Sequence, residues 1–246
     1  MFNKYKKNYY SQAGEDGVLL ELLKRLKIKN NQLNWCCEFG AWDGVHGSNT
    51  FNLVKNFNYN AVYIEGDKNK FKDLLKTKEK YPRILAFNNY VSHKRKSFLL
   101  DTILKKTKIN KDFNILSIDI DSYDLAVWKS LKHYSPKIVI IEINSSIPPG
   151  IKQIHSPLNN GNSFTSTVLY AKKNGYELIC HTGNCIFVKK KYLKKLKFEK
   201  KYIKNPELLF NNSWLGKKEF FLKTFFKMIL PNNFLNILRV FKKKLY

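Results

Sequence analysis

The sequence contains little arginine and few acidic residues. Of the 45 Lys+Arg residues only four are arginine, against 19 Asp+Glu and a formal net charge of +26. Proteins that read bases and phosphates rely on the forked guanidinium group of arginine. A lysine- and asparagine-rich composition is also what an AT-rich genome produces without selection for a phosphate site. The composition therefore argues against nucleic acid as the partner, in spite of the charge.

Cysteine pairs and long apolar runs are also missing. No C-x-x-C pair occurs, so we expect reduced thiols and no zinc site; the cysteines are Cys36, Cys37, Cys180 and Cys185. No run approaches the ~20 apolar residues that span a bilayer. The segment MFNKYKKNYY has no apolar signal core. We therefore expect a cytoplasmic protein, and leave open peripheral contact at the inner face of a membrane.

Short apolar runs alternate with helix-compatible stretches along most of the chain. An amphipathic helix is predicted over residues 14–28. The strands predicted after it are 33–39, 61–65, 84–87, 114–120 and 138–143, followed by a hairpin of 177–180 and 185–189. Strands separated by helices form a parallel sheet. The pattern predicts an α/β, Rossmann-like, doubly wound and mostly parallel seven-stranded sheet with a C-terminal antiparallel hairpin.

The last quarter of the chain differs in charge from the rest. Residues 186–246 carry 17 Lys+Arg and 3 Asp+Glu, and Pro231 separates two apolar and basic stretches, 217–230 and 233–245. We divide the chain into a domain over residues 1–190 and a basic, amphipathic helical extension over 191–246. The extension suits peripheral contact with an anionic membrane surface. Packing on the domain or a dimer contact is the equal alternative.

A glycine-bearing turn follows the first predicted strand, in the string CEFGAWDG. Glu38 ends the strand, and Gly40 and Gly44 follow in the pattern E-x-G-x-x-x-G. Gly40 allows a sharp turn, and Gly44 allows a ligand to lie against bare backbone at the start of the following helix. The spacing differs from the G-x-G-x-x-G that serves a pyrophosphate. Glu38 or Asp43 can instead hold an ammonium group.

A further acidic residue ends the next predicted strand. Glu65 lies 21 residues beyond Gly44, at the tip of the run AVYIE. A carboxylate at that position can accept hydrogen bonds from both ribose hydroxyls of a nucleoside. Asp67 is the nearby substitute. The two strand ends together predict a site for a nucleoside that also carries a cationic group.

Carboxylates concentrate at the ends of the fourth and fifth predicted strands. Asp119, Asp121 and Asp124 follow one strand, and Glu142 and Asn144 end the next. Like charges this close raise the free energy unless a proton or a cation relieves them. The cluster predicts either a general base for a substrate hydroxyl or a site for Mg²⁺ or another divalent cation, with Asp119, Asp121 and Asn144 as ligands. Helix capping by Asp121 is the structural alternative.

One histidine lies in the long loop after the fifth predicted strand. His155 belongs to the segment IPPGIKQIHSP, residues 147–157. Long loops at this edge of an α/β sheet are often functional. We therefore group His155 with Asp119 and Asp121 as candidate catalytic residues that handle the acceptor. His46, just after the glycine turn, is a further candidate for contact with a ligand.

In their order and spacing these segments resemble the FkbM-type branch of the class I S-adenosylmethionine-dependent methyltransferases. The resemblance covers roughly residues 11–190. The strings that carry it are SQAGEDGV (11–18), CEFGAWDG (37–44) with SNT (48–50), YIEGD (63–67), LSIDIDSYD (116–124) and IEIN (141–144).

The resemblance implies a Rossmann-like domain, S-adenosylmethionine as the methyl donor, and O-methylation of a hydroxyl on a sugar, such as one in a cell-surface glycan. By position, Glu38, Gly40 and Gly44 would line the donor, Glu65 its ribose, and Asp119 the junction of donor and acceptor. The acceptor, a saccharide or glycan, is the expected partner.

Three other functions stay open on the sequence. A metal-dependent glycosyltransferase could use Asp119-Ile120-Asp121 as its D-x-D motif. A nicotinamide-dependent oxidoreductase is disfavoured because the third glycine of its fingerprint is missing. A non-catalytic protein on the same fold, binding a membrane or nucleic acid, would need a basic surface across the acidic cluster.

Overall fold

The chain forms one seven-stranded sheet with helices on both faces. The structure is a computed structural model, and it describes residues 1–29, 31 and 33–212. The strands are β1 Trp35–Phe39, β2 Asn60–Glu65, β3 Ile84–Asn88, β4 Ile115–Ile118, β5 Ile138–Glu142, β6 Tyr176–His181 and β7 Asn184–Lys189. The helices are α1 Glu15–Leu26, α2 Phe51–Phe57, α3 Lys68–Lys80, α4 Leu100–Leu104, α5 Asp124–Ser130, α6 Phe164–Lys173, α7 Leu193–Leu196 and α8 Lys200–Lys204.

The strand order is β3-β2-β1-β4-β5-β7-β6. The pairings from β3 to β5 are parallel, and β7 runs antiparallel to both β5 and β6. The predicted fold class is therefore confirmed: a Rossmann-like, mostly parallel sheet that closes in an antiparallel hairpin. The chain reverses its direction of winding between β1 and β4, and a crevice at the carboxyl ends of the strands is where such sheets bind ligands.

Alternating side chains of the strands bury two separate apolar layers. Cys37, Val62 and Leu116 belong to the layer that also contains residues of α4, α5 and α6. Cys36 and Tyr63 belong to the opposite layer, with residues of α1, α2 and α3. Burial on both faces is why these strands read as nearly continuous apolar runs. All four cysteines are buried free thiols, as the absence of a C-x-x-C pair predicts.

Two helices near the site begin late and leave long loops before them. Helix α2 begins at Phe51, so residues 40–50 form a long loop after β1. Helix α4 has only five residues and is preceded by a 3₁₀ turn at Lys96–Phe98. Both loops therefore have more irregular backbone at the carboxyl edge of the sheet than the apolar periodicity indicates, and both take part in the site.

The part of the extension that the structure describes packs on the sheet domain. Leu196 and Tyr202 are buried in the two apolar layers, and so is Leu209 of the 3₁₀ turn Pro206–Leu209. Residues 213–246 lie outside the described residues, and the two basic stretches predicted there stay predictions. Within the described residues no helix has the length and apolar character needed to cross a membrane.

Candidate active site

A cleft of about 1050 Å³ lies at the carboxyl edge of the sheet, across the reversal between β1 and β4. That volume is at the upper end of the ~300–1,000 Å³ of small-molecule sites, so two ligands can lie side by side. Of the predicted site residues, those that line the cleft are Glu38, Gly40, Glu65, Asp67, Asp119 and Asp121. Those that do not are Asp43, Gly44, Asn144 and His155.

The two glycines of the turn do different work. Gly40 has φ +74°, and a Cβ there would lie 1.7 Å from the backbone oxygen of Asp119, so only glycine lets the ends of β1 and β4 meet. Gly44, at φ +77°, faces away from the cleft, since a Cβ would meet Leu74 at 2.8 Å and Tyr63 at 3.0 Å. Its predicted place at a helix start is wrong, because α2 begins seven residues later at Phe51.

Glu38 ties the loop after β1 to the sheet. Its carboxylate accepts hydrogen bonds from the hydroxyls of Ser48 at 2.7 Å and Thr50 at 2.5 Å, and from the N–H of Asn49 at 3.0 Å. Burial raises the pKa of Glu38, and these hydrogen bonds oppose the rise. The side chain lines the cleft, but its oxygens are largely committed to residues 48–50. Glu38 therefore shapes the wall and adds negative charge to it.

Asp43 is committed to its own turn. One carboxylate oxygen accepts the N–H groups of Val45 and His46 at 2.8 Å, and the other contacts Nδ1 of His46 at 2.5 Å. Partial burial raises the pKa of Asp43, but these hydrogen bonds outweigh it and lower the pKa on balance. The bond to Asp43 in turn raises the pKa of His46. His46, rather than Asp43, lines the cleft.

Glu65 is fixed at the tip of β2 by two backbone donors. The N–H of Trp42 donates to one carboxylate oxygen and that of Asp67 to the other, both at 2.8 Å. The side chain is buried and lines the cleft. Asp67 is the N-cap of α3 and accepts the N–H groups of Asn69 and Lys70 at 2.8 and 3.0 Å. Of the two acids predicted here, Glu65 has the anchored orientation and Asp67 holds the helix.

Three carboxylates converge at the ends of β4 and β5. Asp119, Asp121 and Glu142 each offer an oxygen within 4.8 Å of the others, and all three line the cleft. Asn144 does not join them. Its side-chain oxygen accepts from Ser146 and its nitrogen donates to the backbone of Asn160, which ties the loop after β5 together. Glu142 thus replaces Asn144 in the oxygen cluster.

Two members of the cluster, Asp119 and Glu142, have raised pKa values. Burial and the charges of Asp124 and Asp121 raise the pKa of Asp119. Burial and the charge of Asp119 raise the pKa of Glu142, and the two carboxyl groups hydrogen-bond each other. Two carboxylates this close cannot both be ionised without a large rise in free energy. Near neutral pH we expect the pair to share a proton, unless a cation takes its place.

Asp124 shapes the turn that carries this cluster. Its carboxylate accepts the N–H groups of Ile120 at 2.8 Å and Ser122 at 3.0 Å. Between them Asp121 has φ +58°, the left-handed conformation that aspartate tolerates better than most residues. Because this conformation is uncommon outside glycine, the turn is held by Asp124 rather than by local preference. Asp121 is exposed on the cleft side.

His155 lies behind the cleft rather than in it. Its ring packs edge-on against Tyr123 at 4.5 Å between centroids, and Tyr123 stacks on His93 at 4.8 Å. The Nδ1 atom of His155 accepts the N–H of Gly161 at 3.1 Å, so the neutral ring carries its proton on Nε2. A histidine held in this way donates rather than accepts a proton. This geometry argues against the general-base role predicted for His155.

Sequence reasoning missed the aromatic and basic wall of the cleft. Trp42 and Tyr90 line it with 47% and 71% of their surface exposed, and the Tyr90 ring rests on Gly66, where a Cβ would lie 2.4 Å from it. The signal was the polar and aromatic string NNYVSHKR after β3, which follows no spacing rule. Three basic residues also line the cleft: Lys70, Lys94 and Arg95.

No protein-family model and no curated protein sequence matches the chain. Among solved structures, M. capricolum TrmK in complex with S-adenosyl-homocysteine is similar at 14% identity and a TM-score of 0.41, over 68% of this chain and 65% of that one. A putative sarcosine dimethylglycine methyltransferase from Galdieria sulphuraria is similar at 15% identity and a TM-score of 0.45, over 67% of this chain and 62% of that one. The precorrin-6y C5,15-methyltransferase from Geobacter metallireducens is similar at 10% identity and a TM-score of 0.45, over 74% of this chain and 92% of that one.

These similarities concern the arrangement of strands and helices and assign no activity to the chain. The matched part spans just under two thirds of the first two of these structures. What the cleft binds must therefore be argued from its own residues.

Proposed function

We propose that the chain is an S-adenosylmethionine-dependent methyltransferase that acts on a hydroxyl group of a saccharide. The observation that carries the proposal is the anchored carboxylate of Glu65, held by the N–H groups of Trp42 and Asp67. Each oxygen keeps a second lone pair, and the pair faces a cleft at the strand end where a ribose diol is bound in folds of this kind. This supports a nucleoside as part of the donor.

The acidic floor supports a cationic donor. Glu38, Asp119 and Glu142 line the floor together with Glu65. S-adenosylmethionine carries a sulfonium and an ammonium group and no phosphate, so it suits such a floor. The diphosphate of a nicotinamide dinucleotide would be repelled by these carboxylates unless they were protonated or neutralised by a cation.

The chain supplies proton removal and orientation. When bound, S-adenosylmethionine supplies an electrophilic methyl group: the acceptor oxygen bonds to its carbon as the carbon–sulfur bond breaks, and the electron pair stays on sulfur. Asp119 takes the hydroxyl proton, and its raised pKa suits proton transfer near neutral pH. Glu142 shares a proton with Asp119 and so tunes it. Alignment of the hydroxyl by Asp119 and Asp121 supplies much of the remaining rate.

The saccharide part of the proposal is supported by the rest of the cleft. Trp42 and Tyr90 present exposed rings at its wall, and the apolar C–H face of a sugar packs well on an aromatic ring. Asp121 is exposed in the same cleft and can accept hydrogen bonds from hydroxyl groups. The volume of about 1050 Å³ accommodates a sugar next to a nucleoside.

A divalent cation is the alternative way to relieve the acidic cluster. Asp119, Asp121 and Glu142 offer the oxygen ligands that Mg²⁺ takes, and a bound ion would acidify the acceptor hydroxyl directly. The same oxygens would serve the competing function, a metal-dependent glycosyltransferase that uses Asp119 and Asp121. A nucleoside diphosphate sugar therefore has to be tested beside the methyl donor.

The experiment is isothermal titration of the full chain with S-adenosylmethionine, S-adenosylhomocysteine, UDP-glucose and NADH, each with and without Mg²⁺. We expect saturable binding of the two adenosyl ligands and none of NADH. Binding of UDP-glucose that requires Mg²⁺, with no binding of either adenosyl ligand, would favour the glycosyltransferase and reject the methyltransferase.

The acceptor is tested with a donor labelled in its methyl group. We expect transfer of label to members of a saccharide panel, in a product that resists mild base as an ether does. Label in a base-labile ester would show that a carboxylate is methylated and would reject the hydroxyl as acceptor.

A further inference from the structure

The cleft is lined by basic residues as well as by carboxylates. Lys70 of α3, and Lys94 and Arg95 of the segment between β3 and α4, line it. In the described part of the chain none of the three forms an ion pair with a carboxylate. The proposed donor carries two cationic groups and a single carboxylate, so it does not account for three cations lining one cleft.

The segment that carries two of these residues is tightly closed. The N–H of Ser92 donates to the backbone oxygen of Phe98 at 2.8 Å, and that of Phe98 to Arg95 at 2.9 Å. The Ser92 hydroxyl accepts the N–H groups of Lys94 at 3.1 Å and Arg95 at 3.2 Å. Lys94 and Arg95 are therefore presented by a defined turn rather than by an open loop.

The turn leans toward the half of the cleft where the acceptor would enter. Three strand spacings separate β3 from β4, about 14 Å at ~4.8 Å each. His93 nevertheless stacks on Tyr123, which follows β4, at 4.8 Å. The ammonium of Lys70, on α3, lies 5.4 Å from the ring centre of Trp42, a cation–π contact that holds it at the cleft.

We propose that Lys70, Lys94 and Arg95 form an anion subsite that takes a phosphate or carboxylate group of the saccharide acceptor. The inference rests on the proposed function and narrows its substrate class to sugar phosphates and acidic glycans. The Arg95 guanidinium can bind either group through two parallel hydrogen bonds, and the two ammonium groups add charge. The acidic floor then keeps the anionic group at the wall and the hydroxyl toward Asp119.

The test is isothermal titration with glucose 1-phosphate, glucuronate and the neutral methyl glucoside, with the full chain alone and saturated with S-adenosylhomocysteine. The variant is Lys94→Gln/Arg95→Gln. Its matched control is Lys105→Gln/Lys106→Gln, an exposed adjacent pair after α4 that makes the same change in charge and lies outside the cleft. We expect one or both anionic sugars to bind more tightly than methyl glucoside. We expect the cleft variant to lose at least about tenfold in that affinity, and the control less than about twofold.

The anion that binds more tightly identifies the group that the subsite takes. Tighter binding of glucose 1-phosphate indicates a phosphate, and tighter binding of glucuronate indicates the carboxylate of a uronic acid. Equal loss in the two double variants would overturn the subsite, since net charge would then explain the binding. A tenfold loss of S-adenosylhomocysteine affinity in the cleft variant would also overturn it, because the donor carboxylate would be the occupant. Binding of a twelve-residue oligouridylate through Lys94 and Arg95, without binding of either sugar, would overturn the saccharide in favour of RNA.

The two proposals fail separately. If the chain does not bind S-adenosylhomocysteine, the proposed donor is wrong, and the titrations of the ligand-free chain still decide the subsite. If it binds S-adenosylhomocysteine and neither anionic sugar, the subsite is wrong and the methyltransferase stands.

Discussion

The carboxyl ends of β2 and β4 both carry acids that line the cleft, buried at β2 and half-buried at β4, and their environments differ. At β2, Glu65 accepts one backbone N–H on each oxygen. At β4, Asp119 faces Glu142 and Asp121, and burial and like charge raise its pKa. Hydrogen bonds to the charged form satisfy the first carboxylate, whereas the second needs a proton or a cation.

The difference indicates that the two regions of the cleft have different roles, one in binding and one in chemistry. A carboxylate with fixed backbone partners is a rigid acceptor, suited to binding a ligand in one orientation. A carboxyl pair with raised pKa values, as Asp119 and Glu142 form, is suited to exchanging protons or binding a metal ion. We therefore place recognition of the donor at β2 and the chemistry at β4 and β5, and the following predictions test that division.

The largest effect is expected at Gly40, which directly follows β1, the strand between the two regions. Alanine there would bring a Cβ within 1.7 Å of the Asp119 backbone oxygen, so β1 and β4 must separate. We expect Gly40→Ala to lower the free energy of unfolding in urea by more than about 4 kcal/mol, or to prevent folding. The control is Gly150→Ala. Gly150 has φ +97°, and a Cβ there would meet no heavy atom within 4 Å, so we expect this variant to lose only about 1–2 kcal/mol of unfolding free energy. Equal losses in the two variants would show that the backbone conformation, not the close approach, decides the cost.

A smaller effect, on binding alone, is expected at Glu65. In Glu65→Gln the amide nitrogen cannot accept the N–H of Trp42 or of Asp67, and one acceptor for the ribose diol is lost. Hydrogen bonds to charged groups contribute about 1.5–3 kcal/mol each, so S-adenosylhomocysteine affinity should fall by roughly 10- to 100-fold by titration. Asp67→Asn, which keeps an N-cap acceptor for α3, should change it less than about threefold. The reverse ranking of the two variants would assign the ribose to Asp67.

At the other end of the cleft, Glu142→Gln should stabilise the protein at high pH. The raised pKa of Glu142 means that the folded chain binds a proton that the unfolded chain has released. Stability is therefore lost as pH rises from the ordinary value of 4.5 through the raised value. Removing the charge should raise the free energy of unfolding at pH 9 by about 1 kcal/mol, which corresponds to a rise in Tm of about 2–4 °C. At pH 4 the Tm should be unchanged. The exposed Glu79→Gln on α3 serves as the control.

Mg²⁺ separates the two ways of relieving the cluster. If the cluster binds the ion, Mg²⁺ should raise the Tm of the wild type at pH 9 and not that of Glu142→Gln. If the cluster only shares a proton, the ion should affect both equally. A Tm of Glu142→Gln below that of the wild type at pH 9, without metal, would contradict the repulsion itself.

The sequence predicts the sheet and the acid at the tip of β2 well, because both follow short-range rules. Apolar runs mark buried strands, and an acid that ends a strand, as Glu65 does, lies at the edge of the sheet where the cleft opens. The sequence predicts the rest of the cleft less well. The hydrogen bonds that engage the Asn144 side chain depend on how the loop after β5 folds on itself. The wall formed by Tyr90 and Arg95 depends on a turn closed by Ser92, which no periodicity marks.

The smallest effect is expected at His155, where sequence and geometry disagree most. The N–H of Gly161 donates to Nδ1, so the neutral ring must carry its proton on Nε2. We expect the Nδ1 nitrogen of His155 to resonate as an unprotonated ring nitrogen in ¹⁵N-histidine-labelled protein at pH 8, with His155→Gln used for assignment. His46 is the internal comparison, since its Nδ1 donates to Asp43 and should resonate as protonated. A protonated Nδ1 on His155 would break the bond to Gly161, free Nε2 to accept a proton, and return His155 to the catalytic set.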